Sequence, residues 1–136
     1  MASGAYERFK ANLMNKEIDL EADTIKVALM DTNHTFTSTN NTWSQVSANE
    51  VSGTGYTAGG ATLANKAVTQ AATTKWDADD VTWSTTTIAD ASHAVVYDDT
   101  MTNDDLIISI DFGGSQSTTA ADFTIAWNAA GIVTIA

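Results

Sequence analysis

Hydrophobic and polar positions alternate along most of this chain, and the alternation has a period of two. Ile25, Val27 and Leu29 share one face of a run from Thr24 to Met30. Leu106, Ile108, Ile110 and Phe112 share one face of a second run, with Ser109 and Asp111 on the other. Phe123, Ile125 and Trp127 repeat the pattern, Ala94–Tyr97 is a short β-branched run, and Ile132–Ile135 closes the chain. Weaker strand candidates are Ala61–Thr69 and Val81–Ser84. Asn128-Ala129-Ala130-Gly131 has the composition of a hairpin turn between the last two runs. Short strands with polar turns predict a mainly β domain, an antiparallel β-sandwich or jelly roll with one sheet face wet.

The start of the chain differs. Tyr6, Phe9 and Leu13 fall at helical spacing, Ser3 is a candidate N-cap, Glu7 suits a first turn and Asn15 a stop. This predicts one N-terminal α-helix over residues 4–16. Such a helix packs on the sheet, or forms an arm that docks on a neighbouring subunit. The Thr- and Asn-rich segment from Asp31 to Trp43 reads as an exposed loop, and Ser44–Val51 as a short helix. No internal repeat or linker divides the 136 residues, so residues 1–136 are expected to form a single domain.

Composition narrows the function. The net charge is −11, and it is unevenly placed. All six basic residues lie at or before Lys75, while residues 76–136 carry ten aspartates and no Lys or Arg. Three of the basic residues, Arg8, Lys10 and Lys16, belong to the helical segment. Such a charge argues against nucleic-acid and anionic-membrane partners. No apolar run reaches the roughly 20 residues that span a bilayer. The N-terminus lacks the basic and apolar regions of a signal peptide, so the protein is expected to be made and kept on the cytoplasmic side, or released by a route not written in this chain. With no cysteine, thiol chemistry and disulfides are excluded.

Candidate chemistry is sparse. Gly53-Thr54-Gly55-Tyr56-Thr57-Ala58-Gly59-Gly60 is not followed by a Gly-Lys-Ser/Thr and opens no helix, so it reads as a bend rather than a phosphate loop. His34 and His93 are far apart and match no metal-ligand spacing, and no Gly-x-Ser-x-Gly elbow supports a triad. The clusters Asp77-Ala78-Asp79-Asp80, Asp98-Asp99 and Asn103-Asp104-Asp105 offer oxygen ligands suited to Ca²⁺, but none matches an EF-hand. Solvated turns are the competing reading. No cofactor is expected, Ca²⁺ at these turns being the one exception weighed. Trp83 and Trp127 read as core. Trp43 and Trp76 sit in polar surroundings and, with Tyr6, Arg8, Phe9 and Lys10, make the candidate partner interface.

The segments Tyr6–Leu13, Asp23–Leu29, Glu50–Gly60, Asp77–Trp83, Ala94–Tyr97, Ile110–Gly113 and Phe123–Trp127 together resemble a family of small virion proteins of tailed bacteriophages and prophages. The resemblance extends over nearly the whole chain and brings no catalytic residues. It implies a non-enzymatic structural protein of the virion. A capsid decoration (cement) protein, bound as a homo-oligomer to the major capsid protein on the head exterior, is the first expectation. A tail or fibre-associated module that binds tail proteins or host glycans is the second. A small glycan hydrolase, suggested only by the many carboxylates, ranks below both.

Overall fold

The computed structural model describes residues 3–136. Among these residues nine strands and one α-helix follow in the order β1 (Gly4–Ala5), α1 (Glu7–Met14), β2 (Ile25–Met30), β3 (Gly53–Thr54), β4 (Ala61–Thr62), β5 (Ala67–Thr69), β6 (Thr74–Asp77), β7 (Val81–Asp98), β8 (Leu106–Ile125) and β9 (Val133–Ile135). The expected mainly β, antiparallel sandwich with one helix near its N-terminus is what forms. One sheet has the order β1-β8-β7-β2-β4, with β3 on the free part of β7; the other is β5-β6-β9.

Four of the expected strands fuse into two. Val81–Ser84 and Ala94–Tyr97 are the ends of the 18-residue β7, and Leu106–Phe112 and Phe123–Ile125 the ends of the 20-residue β8. The linking stretches are rich in Thr, Ser, Gly, Ala and Asp and look like turns in the sequence. They stay paired because side-chain oxygens replace ladder bonds where the register shifts. The Thr86 hydroxyl donates to the Ala121 carbonyl at 2.8 Å and meets the Thr118 hydroxyl at 2.7 Å. Asp122 accepts from the Thr85 N–H at 2.9 Å, and Ser117 from the Asp90 N–H at 2.9 Å. Thr85, Asp90 and Ala120 take positive φ (51°, 55° and 46°), so the hairpin bends and both of its ends reach the core.

The expectation of a wet sheet face fails at the base of this hairpin. Every residue of β7 from Ala91 to Asp98 is buried, whichever way it points. Ile25, Val27, Leu29, Ala94 and Val96 face a large core with Phe9, Trp76, Trp83 and Phe123. Ala28, Met30, Val95 and Tyr97 face a second, smaller core with Tyr6, Val46 and Leu106. The segment 31–50, expected as an exposed loop and a short helix, covers this second face with Phe36, Trp43 and Val46. It contains only two 3₁₀ turns, Trp43–Gln45 and Ser47–Asn49. A shift of register between Val96 and Tyr97 pairs Tyr97 with Leu106 and Val96 with Ile108. Leu106 therefore enters the smaller core while Ile107 and Ile108 both enter the larger one, and the four-residue face expected from Leu106 to Phe112 is split.

The N-terminus also differs from expectation. Helix α1 is shorter than 4–16 because Gly4 and Ala5 pair with Ser109 and Ile108 on the edge of β8. Ser3 is not the cap; its hydroxyl accepts from the Asp111 N–H at 2.7 Å. Tyr6 stands at the N-cap with no side-chain bond, and the Ser38 carbonyl accepts the Glu7 N–H at 3.0 Å. Asn15 does end the helix. The Asn128–Gly131 turn forms, with Gly131 N–H to Asn128 O at 2.8 Å, but it is not a hairpin, since β9 pairs with β6. The glycine bend lies where backbones meet: a side chain at Gly53 would strike the Thr87 carbonyl, and at Gly60 the Val27 carbonyl.

Thr86→Val should cost about 1–3 kcal/mol, because it removes a fully buried hydroxyl that bonds both the Ala121 carbonyl and the Thr118 hydroxyl. Thr82→Val, at the exposed Thr82–Thr124 pair, should cost no more than about 0.5 kcal/mol. Urea denaturation of the two variants checks the contrast, and equal losses would contradict the role given to Thr86.

Candidate functional site

The six residues expected to meet a partner separate into two groups. Tyr6, Phe9 and Trp76 are at most 2% exposed, so they cannot form a contact surface in this fold. Each is held by the interior. Tyr6 makes an edge contact with Phe36 at 5.1 Å, Phe9 sits in the large core, and the Trp76 indole donates to the Leu20 carbonyl at 3.0 Å. The polar neighbours of Trp76 in sequence hid this, because the packing partners come from α1 and the loop after it. Arg8 and Lys10 are exposed, although the Arg8 guanidinium already lies 3.7 Å from Asp105. Trp43 is half-buried and stacks flat on Tyr97, with ring centroids 4.6 Å apart and 11° between planes. Trp83 is core as expected. Trp127 lies beyond the end of β8, half-buried, its indole donating to the Asp79 carbonyl at 2.9 Å.

The acidic turns are occupied by their own contacts. Asp79 accepts from the Asn65 amide at 2.6 Å, Asp80 from the Trp127 N–H at 2.9 Å, and Asp77 from the Ala78 N–H at 2.9 Å. Asp99 lies 3.5 Å from the Lys26 ammonium, and Asp105 accepts from the Asn12 amide at 2.9 Å. Among the described residues no three His, Cys, Asp or Glu side chains converge as a metal ion requires.

Asp98 is the buried exception to this satisfaction. It is fully buried, and one oxygen accepts the Thr100 N–H at 2.9 Å. The other meets no donor among the described residues; its neighbour is the Asp23 carboxylate, to which a protonated Asp98 can donate. Burial, and then the neighbouring Asp23, raise its pKa well above the carboxylate range.

The fold also joins two histidines that are 59 positions apart. The His34 and His93 rings stand edge to face with centroids 4.9 Å apart, and both are at most 1% exposed. His34 comes from the covering segment and His93 from β7. The Ser92 hydroxyl donates to the Asp31 carbonyl at 2.7 Å, so its contact with His93 Nδ1, also 2.7 Å, requires the proton on that nitrogen. His93 Nε2 is then a bare lone pair, and it has no partner among the described residues. His34 Nε2 lies 3.0 Å from the Ser109 hydroxyl. That is a nucleophile–base spacing, but Ser109 is 1% exposed, and no described carboxylate hydrogen-bonds to His34. Burial lowers the His34 pKa to about 4, helped by His93 and opposed by Asp31. Burial also lowers that of His93, against the pull of Asp111. Burial pushes the Tyr6 phenol up to about 12, with Ser109 opposing. The pair is a neutral packing element of the smaller core. Sequence spacing could not reveal it, since only β2–β7 pairing and the return of segment 31–50 bring the rings together.

These groups give stability opposite pH slopes. The imidazoles are neutral in the fold but take up protons below about pH 6.5 in the unfolded chain. Their contribution is therefore complete above that pH and is lost as pH falls toward about 4, by up to about 3 kcal/mol for His34. The stability advantage of the parent over His34→Gln should shrink as pH falls from 7 to 4.5, as read by urea midpoints; a constant difference would refute it. Asp98 runs the other way, because its raised pKa makes stability present at low pH and lost as the carboxyl ionises. Asp98→Asn should therefore gain about 1–3 kcal/mol at pH 8 and nothing at pH 4, a contrast that thermal melts at the two pH values will detect.

Searches of family models, of curated proteins and of solved structures found no match for this chain.

Proposed function

We propose that this protein is a non-enzymatic structural protein of a tailed-bacteriophage virion: a decoration (cement) protein that binds the outer shell of the major capsid protein as a homo-oligomer and stabilises the head. The observation that carries the reading is the near full-length sequence resemblance. Its segments coincide with the parts that build this fold: α1, β2, the glycine bend on β2 and β7, and both ends of the β7–β8 hairpin. The layout of charge suits an outer-shell role. Lys10 and Lys16 stand exposed on and just after α1, while the part of the chain after Lys75 is acidic and would keep particles and DNA apart. Arg8 is already engaged by Asp105, so Lys10 and Lys16 are the cations of this segment left to meet an acidic neighbour. Repetition over a symmetric shell multiplies contacts that are weak one at a time.

A tail-associated module that binds tail proteins or host glycans is the second reading. Trp43 supports it, being an aromatic plate held flat by Tyr97 and still half open to solvent.

Quantitative mass spectrometry of purified virions separates the two. The cement reading expects hundreds of copies per particle, and a handful or a few dozen would end it. Particles lacking the protein should also release their DNA at lower temperature than complete ones. A glycan array probed with the parent and with Trp43→Ala tests the second reading, which fails if the parent binds nothing.

A further inference from the structure

Strand β8 has an edge that the fold leaves open. Its inner edge pairs with β7 from Leu106 to Ile125, with register shifts along the way. Its outer edge pairs with β1 at Ile108 and Ser109, and is held further where Leu106 N–H meets the Asn41 carbonyl, Tyr6 N–H the Ile107 carbonyl and Asp111 N–H the Ser3 hydroxyl. From Ser115 to Ile125 no described strand lies on that side. Of the usual protections of an open edge, it carries only a bulge at Thr119–Ala120, where Ala120 takes φ 46°. This stretch has no Lys and no Pro, and Asp122 is its one charged residue.

A trough of about 630 Å³ accompanies this edge. Its walls include Phe123 and Ile125 together with Thr124 and Ala126, residues that alternate between the two faces of the strand, so the trough lies alongside the strand. Half-buried Ile110, Phe112, Trp127 and Ile132 give it an apolar floor. Free backbone groups beside alternating apolar pockets are the requirements for strand addition.

We propose that the outer edge of β8 accepts an extended segment of a basic partner chain, which adds to the sheet as an antiparallel or parallel strand. A nine-residue extended segment covers roughly 30 Å, enough to run along Ser117–Ile125, and it meets a regular edge from Ala121 to Ile125, beyond the bulge at Thr119–Ala120. Alternate apolar side chains of the segment enter the trough, and its Lys or Arg side chains face an acidic surround. Asp122 lines the trough, one of its oxygens accepting the Thr85 N–H and the other left for a cation, and no Lys or Arg follows Lys75. Lys75 itself reaches the far end beside Gly131, but its ammonium is held by the Ala129 carbonyl at 3.0 Å and lies 3.9 Å from Asp77. A second copy is a poorer occupant, because it would set one acidic strand against another at a net charge of −11 each. Any basic chain with such a segment qualifies, so the edge does not depend on the partner being a capsid protein.

The test uses two capped nine-residue peptides, one alternating valine and lysine, the other valine and glutamate, titrated into the full chain labelled with ¹⁵N. The valine–lysine peptide should shift the amides of Ser117–Ile125 and the Trp127 indole N–H and slow the exchange of those amides. The valine–glutamate peptide should bind at least tenfold more weakly. Thr119→Lys/Ala121→Lys, at two exposed positions, should weaken the valine–lysine peptide at least tenfold. If that variant does not fold, the parent titration still decides. No response at Ser117–Ile125, equal binding of both peptides, or equal binding of a glycine–lysine peptide would overturn the proposal. So would concentration-dependent dimers that protect the same amides without peptide, which would assign the edge to a second copy.

Discussion

Burial of both faces of the β2–β7–β8 base is the constraint on which the rest of this structure depends. A sheet coated on one side needs one apolar layer. Here Ile25, Val27, Leu29, Ala94 and Val96 pack into one core while Ala28, Met30, Val95 and Tyr97 pack into another. The second core needs a lid, and segment 31–50 supplies it without regular strands. Its backbone is tied down by Asp31 N–H to Asn49 O at 2.8 Å, Trp43 N–H to Asp104 O at 2.9 Å, and Leu106 N–H to Asn41 O at 2.9 Å. The glycine bend is fixed to the same base. Glu50 accepts from the Tyr56 hydroxyl and from the Gly59 N–H, both at 2.7 Å, and the Tyr56 hydroxyl accepts from the Leu29 N–H at 3.0 Å.

That arrangement explains where ionisable groups became trapped. His34 enters the smaller core because the lid carries it there, and His93 because β7 is buried on both faces. Asp98 is buried at the end of the same strand, where the chain turns toward Leu106. The first two are comfortable when neutral and the third when protonated, so the protein's stability should peak between the acid and alkaline limits. The same base also leaves the outer half of the hairpin without cover. Beyond Asp111 the edge of β8 is unpaired among the described residues, and the trough beside it has no counterpart at the base, where β1 and the lid close the edge.

The functional reading rests on different grounds from the fold. The proposed structural part in a virion rests on charge, on the near full-length resemblance and on the surviving exposed residues. The buried state of Tyr6, Phe9 and Trp76 moves attention from the apolar stripe of α1 to Lys10, Lys16 and Trp43, and to the open edge of β8.

The sequence by itself determined the β character, the helix near the N-terminus with its stop at Asn15, the inward set of β2 and the burial of Trp83. Each follows from local periodicity or turn chemistry, which neighbours along the chain are enough to specify. It also determined the division of charge at Lys75. Tertiary structure decided what depends on distant partners. Thr85–Ala91 and Gly113–Asp122 look like turns until Thr86, Thr118 and Asp122 bridge them. Segment 31–50 looks solvated until an apolar sheet face needs covering. Trp76 looks exposed until Leu20 accepts its indole N–H, and the two histidines are unrelated until the sheet and its lid bring their rings into contact. The physical reason is common to all four: the compensating bond or surface lies dozens of residues away, where no local pattern can register it.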